Sequence, residues 1–222
     1  MRKKLVMLFV AVVMTANAMA QIPANVKEVL KKSDEKMASF NTPAGVSMDA
    51  KVKMKVSVLS MDGTIKMYEK NKKFFANMSI KGPQDIRMNI ELGFDGQQKW
   101  QYQSLGGGDG KDTLMITKTR DAINSFGVRS GYDKEYKNAK MKESDRFYEI
   151  TFSGPLKKDI PKKSTIKIAK DSYILSEYSV VQNMGPLTGN LIVTITKITK
   201  RCNDNSVKLD MNRYKNAVVV RR

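Results

Sequence analysis

The chain has 222 residues and a formal net charge of +18, with a single cysteine, Cys202, and no histidine. The missing imidazole excludes every catalytic triad and metal site that needs one. The single thiol excludes an intramolecular disulfide and, lying between Arg201 and Asn203 without the usual base, reads as structural and not nucleophilic.

Residues 1–20, MRKKLVMLFVAVVMTANAMA, open on Arg2, Lys3 and Lys4, run apolar from Leu5 and end in Ala18-Met19-Ala20. This is the pattern of a secretory signal cleaved after Ala20 at an A-x-A site. The apolar stretch is short for a bilayer span, and no later run of about 18 apolar residues follows. No cysteine follows the cleavage site, so no lipid attachment is expected there. We expect an exported, periplasmic protein without a transmembrane helix, with residues 21–222 forming one domain. Setting Arg2, Lys3 and Lys4 aside leaves a charge of +15. In an exported protein that charge fits an anionic membrane surface, an anionic lipid or an acidic partner, and not nucleic acid. A solvated basic surface accounts for it equally well.

The spacing of Val26, Val29, Leu30, Met37 and Phe40 predicts an amphipathic helix over 24–40, with Pro23 at its start and NTPAG (41–45) as its breaker. Next comes VSMDAKVKMKVSV (46–58). Val46, Met48, Ala50, Val52, Met54, Val56 and Val58 occupy the even positions, and Ser47, Asp49, Lys51, Lys53, Lys55 and Ser57 the odd ones. Side chains alternate across a strand, so this strand has one apolar and one mostly basic face. SMDG (60–63) predicts a hairpin at Asp62-Gly63. TIKMYEK returns, NKK (71–73) turns again, and FFANMSI and DIRMNIELGF follow. In the last run Ile86, Met88, Ile90, Leu92 and Phe94 alternate with Asp85, Arg87, Asn89 and Glu91. Asp95-Gly96 predicts another hairpin, and QQKWQYQ puts Trp100 and Tyr102 on one face.

LGGGDGKD (105–112) reads as a loop. It is not a phosphate loop, because Leu105 replaces the first glycine and Asp112 the magnesium-binding hydroxyl. After TLMITK a short helix is predicted around Arg120 to Phe126, and GVRSGYDKEYKNAK reads as polar and irregular. FYEITFSG, STIKIAK, ILSEYSVVQ, LIVTITKIT and KNAVVV read as strands, with GPLKKDIPKK and NMGPLTGN as turns. The sum is an α+β chain: about ten or eleven strands in one antiparallel meander, a leading helix and a short mid-chain helix. Strands with a single apolar face suit one curved sheet wrapped around helices better than a two-sheet sandwich. A concave apolar surface only partly plugged by those helices is a ligand site. Eleven of the 15 methionines follow the signal, and Met48, Met54, Met78 and Met88 fall on apolar strand faces. Methionine suits surfaces that accept varied apolar partners, although each is also an ordinary core filler.

The stretch from Gly63 to Tyr102 resembles the periplasmic outer-membrane lipoprotein carrier family (LolA-like). The resemblance rests on the turn at Lys70-Asn71-Lys72, the aromatics Phe74 and Phe75, Asp95-Gly96, and Trp100 and Tyr102. IKIAKDSYILSEYSV (166–180) and the order helix, strands, helix, strands extend it over most of the mature chain. The family's turn carries Arg followed by Pro where this chain has Asn71 and Lys72, so the family's gating Arg has no counterpart here. The resemblance implies an unclosed β-barrel, with the N-terminal and mid-chain helices over its concave face and an apolar cavity beneath. It implies a binding protein, not an enzyme, that carries lipoprotein acyl chains or phospholipid from the inner to the outer membrane. Its implied partners are an inner-membrane lipoprotein-releasing transporter and an outer-membrane acceptor. No cofactor or metal is expected, and a monomer is.

Acyl chains are insoluble in water, and burying them is worth about 0.8 kcal/mol per methylene. The expected contacts are Met54, Val56, Met78, Met88, Ile90, Leu92, Trp100 and Tyr102 from the sheet, with Ile123 and Phe126 from the inserted helix. For Trp100, a buried core position is the other reading. A second function keeps this fold: an envelope sensor or regulatory domain binding a membrane-protein partner through Lys51, Lys53 and Lys55. Those lysines also suit a merely solubilising outer face. Asp85, Asp95 and Asp109 offer no carboxylate pair at catalytic spacing, and a single tryptophan argues against an outer-membrane barrel.

Overall fold

A computed structural model describes residues 22–83, 87–106, 111–118, 132–158, 160–184 and 187–221. Helix α1 (Ala24–Ala38) buries Val26, Val29, Leu30, Ser33 and Met37, the stripe its apolar spacing dictates. It starts after Pro23, whose fixed φ suits a helix entrance. At its end the Ser39 hydroxyl donates to the Lys36 carbonyl at 2.6 Å. No helix among the described residues is long and apolar enough to cross a membrane.

Strands β1 (Val46–Val56), β2 (Leu59–Lys70), β3 (Lys73–Lys81), β4 (Arg87–Phe94), β5 (Gln98–Gly106) and β6 (Thr113–Lys118) form a meander. A short helix α2 (Tyr132–Glu135) leads into β7 (Tyr136–Glu143), β8 (Phe147–Pro155), β9 (Lys163–Ala169), β10 (Leu175–Met184) and β11 (Leu187–Thr199), a second meander. Pairing of β1 with β11 joins the two. Two 3₁₀ turns, Asp204–Val207 and Met211–Tyr214, then lead to β12 (Val218–Arg221), which pairs with β6 in parallel. The result is one curved, unclosed 12-stranded sheet in the order β12-β6-β5-β4-β3-β2-β1-β11-β10-β9-β8-β7. This is the fold class expected from the sequence, with one parallel pair added.

Three local expectations are corrected. The β1–β2 turn is Ser57-Val58, since Val56 pairs with Leu59, and Ser57 takes a φ of 55°. Asp62-Gly63 lies inside β2, where Gly63 faces Val52 on one side and Ile80 on the other. A Cβ on Gly63 would overlap the Ser79 carbonyl and crowd Ile80, so this glycine serves close strand packing and not a turn. The stretch read as polar and irregular contains α2 and β7; β7 is an edge strand with only Tyr136 fully buried. The expected helix around Arg120 to Phe126 lies outside the described residues. Asn71-Lys72 does turn as expected: φ is positive at both, as a two-residue hairpin matched to strand twist requires.

Residues directly opposite across a strand pair share a face, so the register traces the two faces of the sheet. Ile166 pairs with Tyr178, Tyr178 with Val193, Val193 with Val52, and Val52 with Gly63. The face carrying this row is hereafter the inner face. Over β7 to β10 it is closed by α1: Val26, Val29 and Leu30 pack with Ile150, Phe152, Ile166 and Ile168, joined by Tyr132 and Tyr136. Each such aliphatic or aromatic burial is worth about 1.5–3 kcal/mol. The outer face has its own core, made of Phe75, Trp100, Leu114, Ile116 and Tyr214, the last from the C-terminal segment folded back onto the sheet.

Candidate functional site

Beyond the α1-closed core the inner face continues across β1 to β4, its one charged side chain among the described residues being Glu69, buried at the end of β2 opposite Val46 and Phe74. Met54 pairs with Leu191 and Met61; Ala50 with Ile65; Met48 with Met67. Ile65 and Met67 pair with Met78 and Ala76, which pair with Ile90 and Leu92. Ile80 pairs with Met88. Along β1 the burial of this face decays: Val46, Met48, Ala50 and Val52 are buried, whereas Met54 and Val56 are only half-buried. Met61, Ile65, Met67, Met78, Met88 and Ile90 are also half-buried, and Leu92 is 41% exposed. One face thus runs from a sealed core into a field of flexible, incompletely covered methionines and aliphatics.

Six of the expected contacts meet in this field: Met54, Val56, Met78, Met88, Ile90 and Leu92. Trp100 and Tyr102 do not, and here the expectation is corrected. Phe94 pairs with Lys99, so an even number of residues, Asp95 to Gln98, separates the partners. That flips the parity: the inner face of β5 carries Lys99, Gln101 and Gln103, and Trp100 and Tyr102 point outward beside Gly93 and Glu91. Trp100 is 2% exposed and belongs to the outer core. Ile123 and Phe126 lie outside the described residues. Met61 escapes the sequence reading because residues 60–63 read as a turn, and Ile65 and Met67 because that turn cuts the strand they continue. The unbroken alternation Leu59, Met61, Gly63, Ile65, Met67 is the signal that finds them.

The outer face is built around a buried carboxylate. Glu91, 4% exposed, accepts from Asn77 Nδ2 at 2.8 Å, from Arg213 at 3.0 Å and from the Tyr214 hydroxyl at 2.6 Å. These bonds pin the C-terminal segment to the sheet, and Arg213 also lies over the Phe75 ring. Burial, then donation to Glu91, pushes the Tyr214 hydroxyl well above the usual phenol range. The segment and the sheet leave a cleft of about 340 Å³ lined by Lys66, Tyr68, Phe75, Asn77, Ser206 and Arg213. Its two cations set it apart from the inner field. Cys202 is buried against Gly45, and burial raises its thiol pKa, as suits a structural residue.

Lys51, Lys53 and Lys55 are exposed on the outer face of β1, as expected. Lys53 is paired across the strand with Asp62, and Lys55 with Ser60.

No protein-family model and no curated protein matches the sequence. Among solved structures the chain is similar to an uncharacterized conserved protein from Thermus thermophilus, at 13% identity and a TM-score of 0.43 over 89% of this chain and 99% of that one. It is similar to a LolA superfamily protein from Nitrosomonas europaea, at 8% identity and a TM-score of 0.32 over 81% and 97%. It is also similar to the Mycobacterium tuberculosis lipoprotein LppX, at 15% identity and a TM-score of 0.41 over 79% and 97%. At these values the likenesses carry no argument about what this chain binds.

Proposed function

We propose that the chain is a periplasmic carrier that shields acyl chains, of lipoproteins or of phospholipid, against the inner face of its sheet between the two membranes. The observation that supports this reading most is the half-buried field of Met54, Met61, Met67, Met78, Met88 and Ile90, continuous with the sealed core under α1. A folded domain gains from covering such a surface; leaving it open is useful where an apolar ligand covers it instead. Methionines adapt to chains of differing length and curvature. At about 0.8 kcal/mol per methylene, covering part of a chain binds it while leaving transfer to an acceptor downhill.

Catalysis is not part of the proposal: the chain has no histidine, and Glu91, the buried carboxylate described above, is engaged by three donors. The signal-like residues 1–20 support the periplasmic location. The resemblance to the lipoprotein carrier family supports an inner-membrane donor, an outer-membrane acceptor and a monomeric carrier.

The test is direct. Protein purified from the periplasm should carry extractable lipid and bind a fluorescent fatty acid. Met54→Glu and Leu92→Glu should each abolish probe binding with the circular dichroism melt retained. Lipid-free protein that excludes the probe would sink the proposal. Depletion that leaves outer-membrane lipoproteins correctly located would remove the transport direction while leaving lipid binding intact.

A further inference from the structure

We infer that the tip of the β1–β2 hairpin docks on an anionic phospholipid bilayer, with Val58 and Leu59 entering the headgroup boundary and Lys55 and Lys53 meeting the lipid anions. The contact stands on the hairpin itself and does not depend on what the inner face carries.

The turn chemistry is the first observation. Two-residue hairpin turns favour Gly, Asn or Asp, which tolerate positive φ and stay solvated. This one has Ser57 at φ 55° and then Val58. Val58 is 90% exposed and Leu59, next to it, 46%. Fold stability does not explain an aliphatic at the apex: the positive φ falls on Ser57 and not on Val58, so the turn geometry does not call for valine, and burial contributes almost nothing there. The apolar character also continues inward, because Val56, Met61 and Met54 lie behind the apex on the inner face.

Charge supplies the second observation and selects the partner. Lys55 and Lys53 are exposed on the outer face, about 10 and 17 Å from Val58 along the strand. A lysine side chain shortens that gap by several ångströms as it reaches toward an interface, bringing Lys55 within roughly one Debye length of the surface. Lys55 faces only Ser60 and Asn190 across its neighbouring strands. Asp62, the carboxylate opposite Lys53, also faces Lys81. An aliphatic apex with cations a short step behind it is the arrangement that binds interfaces of anionic lipid. An acidic protein would use the lysines but give the exposed Val58 no role.

The experiment is sedimentation of the mature protein with vesicles of phosphatidylcholine alone and of phosphatidylcholine mixed with phosphatidylglycerol. Binding is expected on the mixed vesicles, weakened by raised salt. Val58→Asp should weaken it at least about tenfold, from lost apolar burial and added repulsion. Lys53→Glu combined with Lys55→Glu should weaken it similarly. Val58→Trp should bind and show a vesicle-dependent blue shift in emission. Fatty-acid probe binding should be unchanged in Val58→Asp, so the two proposals fail separately: loss of probe binding in the unmodified protein sinks only the carrier. No binding to mixed vesicles, or equal binding by Val58→Asp, overturns the inference. Absence of vesicle binding together with Lys53- and Lys55-dependent capture of an acidic membrane protein would assign the hairpin to that partner instead.

Discussion

The indole of Trp100 lies flat across Gly93, its cross-strand partner, so that a Cβ on Gly93 would overlap the ring. The glycine is there for the ring, and the ring roofs the outer core with Phe75, Leu114, Ile116 and Tyr214. Gly93→Ala must displace either the indole or a strand, and overpacking of this kind costs about 1–3 kcal/mol. Urea denaturation should show a lowered midpoint, and Trp100 emission should shift to the red as the ring loses burial. An unchanged midpoint with unchanged emission would mean that the ring tilts aside freely.

Tyr214 and Arg213 hold the C-terminal segment through the same carboxylate, Glu91. Tyr214→Phe removes a buried donor to a charged acceptor, at a cost of about 2 kcal/mol. The pH dependence has a definite sign. The folded protein holds the Tyr214 proton more tightly than an unfolded chain does, because burial and Glu91 both disfavour the phenolate. Stability is therefore complete below the unfolded phenol value, about 10, and falls as the pH rises above it. Tyr214→Phe should be less stable near neutrality but lose part of that alkaline slope. Denaturation midpoints between pH 8 and 11 check both; parallel curves would disprove the assignment to Tyr214.

What the sequence disclosed, and what it hid, follows from how each strand is covered. Alternation was plain in β1 because one side is sealed or apolar and the other is lysine. The first turn was hidden because Ser57-Val58 lacks the glycine, asparagine or aspartate that marks a two-residue hairpin, while Asp62-Gly63 imitates one inside β2. Strand β7 was hidden because beyond Tyr136 its covered side carries only Ala139 and Met141, half-buried between exposed lysines at the edge of the sheet, too short a period to read. The misplacement of Trp100 and Tyr102 has another cause. Period two shows which residues share a face within a strand, but the face itself depends on whether the preceding turn has an odd or even count, which only pairing of Phe94 with Lys99 settles. The methionine field was legible strand by strand, and its continuity with the α1 core needed the register.

Asp34 on α1 has a buried Oδ1 without a hydrogen-bond partner, and burial raises its pKa to about 6. Its folded value thus lies above the unfolded value of about 3.9, and the ionised form costs stability. That cost is full above pH 6 and disappears as the pH falls toward 4. Asp34→Asn should stabilise the protein at pH 7.5 by on the order of 1 kcal/mol, once screening by solvent at this partly open site is allowed for. The variant should also flatten the stability profile between pH 4 and 6. A variant less stable than the parent at pH 7.5 would show that the carboxylate has a favourable role in the helix.

Met54 and Met61 face each other across β1 and β2, while Lys53, one residue away, points to the other side of the sheet. If acyl chains lie on the inner face, sensitivity to substitution must follow that alternation. Met61→Glu and Met67→Glu each put a charge where an apolar chain must lie, and an unpaired charge cannot follow into an apolar contact without a penalty of several kcal/mol. Fatty-acid probe affinity should fall by more than a hundredfold in each, about 3 kcal/mol by the logarithmic relation. Lys53→Glu, by contrast, should leave probe affinity within a factor of about two, since surface charges contribute little across a sheet. Trp100→Phe is the sharper control. It lies beside Leu92 in sequence pattern but on the outer face in space, so it should lower the unfolding midpoint and leave probe affinity alone. Titration of the four variants with one probe decides the matter: losses confined to Met61 and Met67 place the ligand on the inner face, and a loss at Trp100 without loss at the methionines would move it to the outer one.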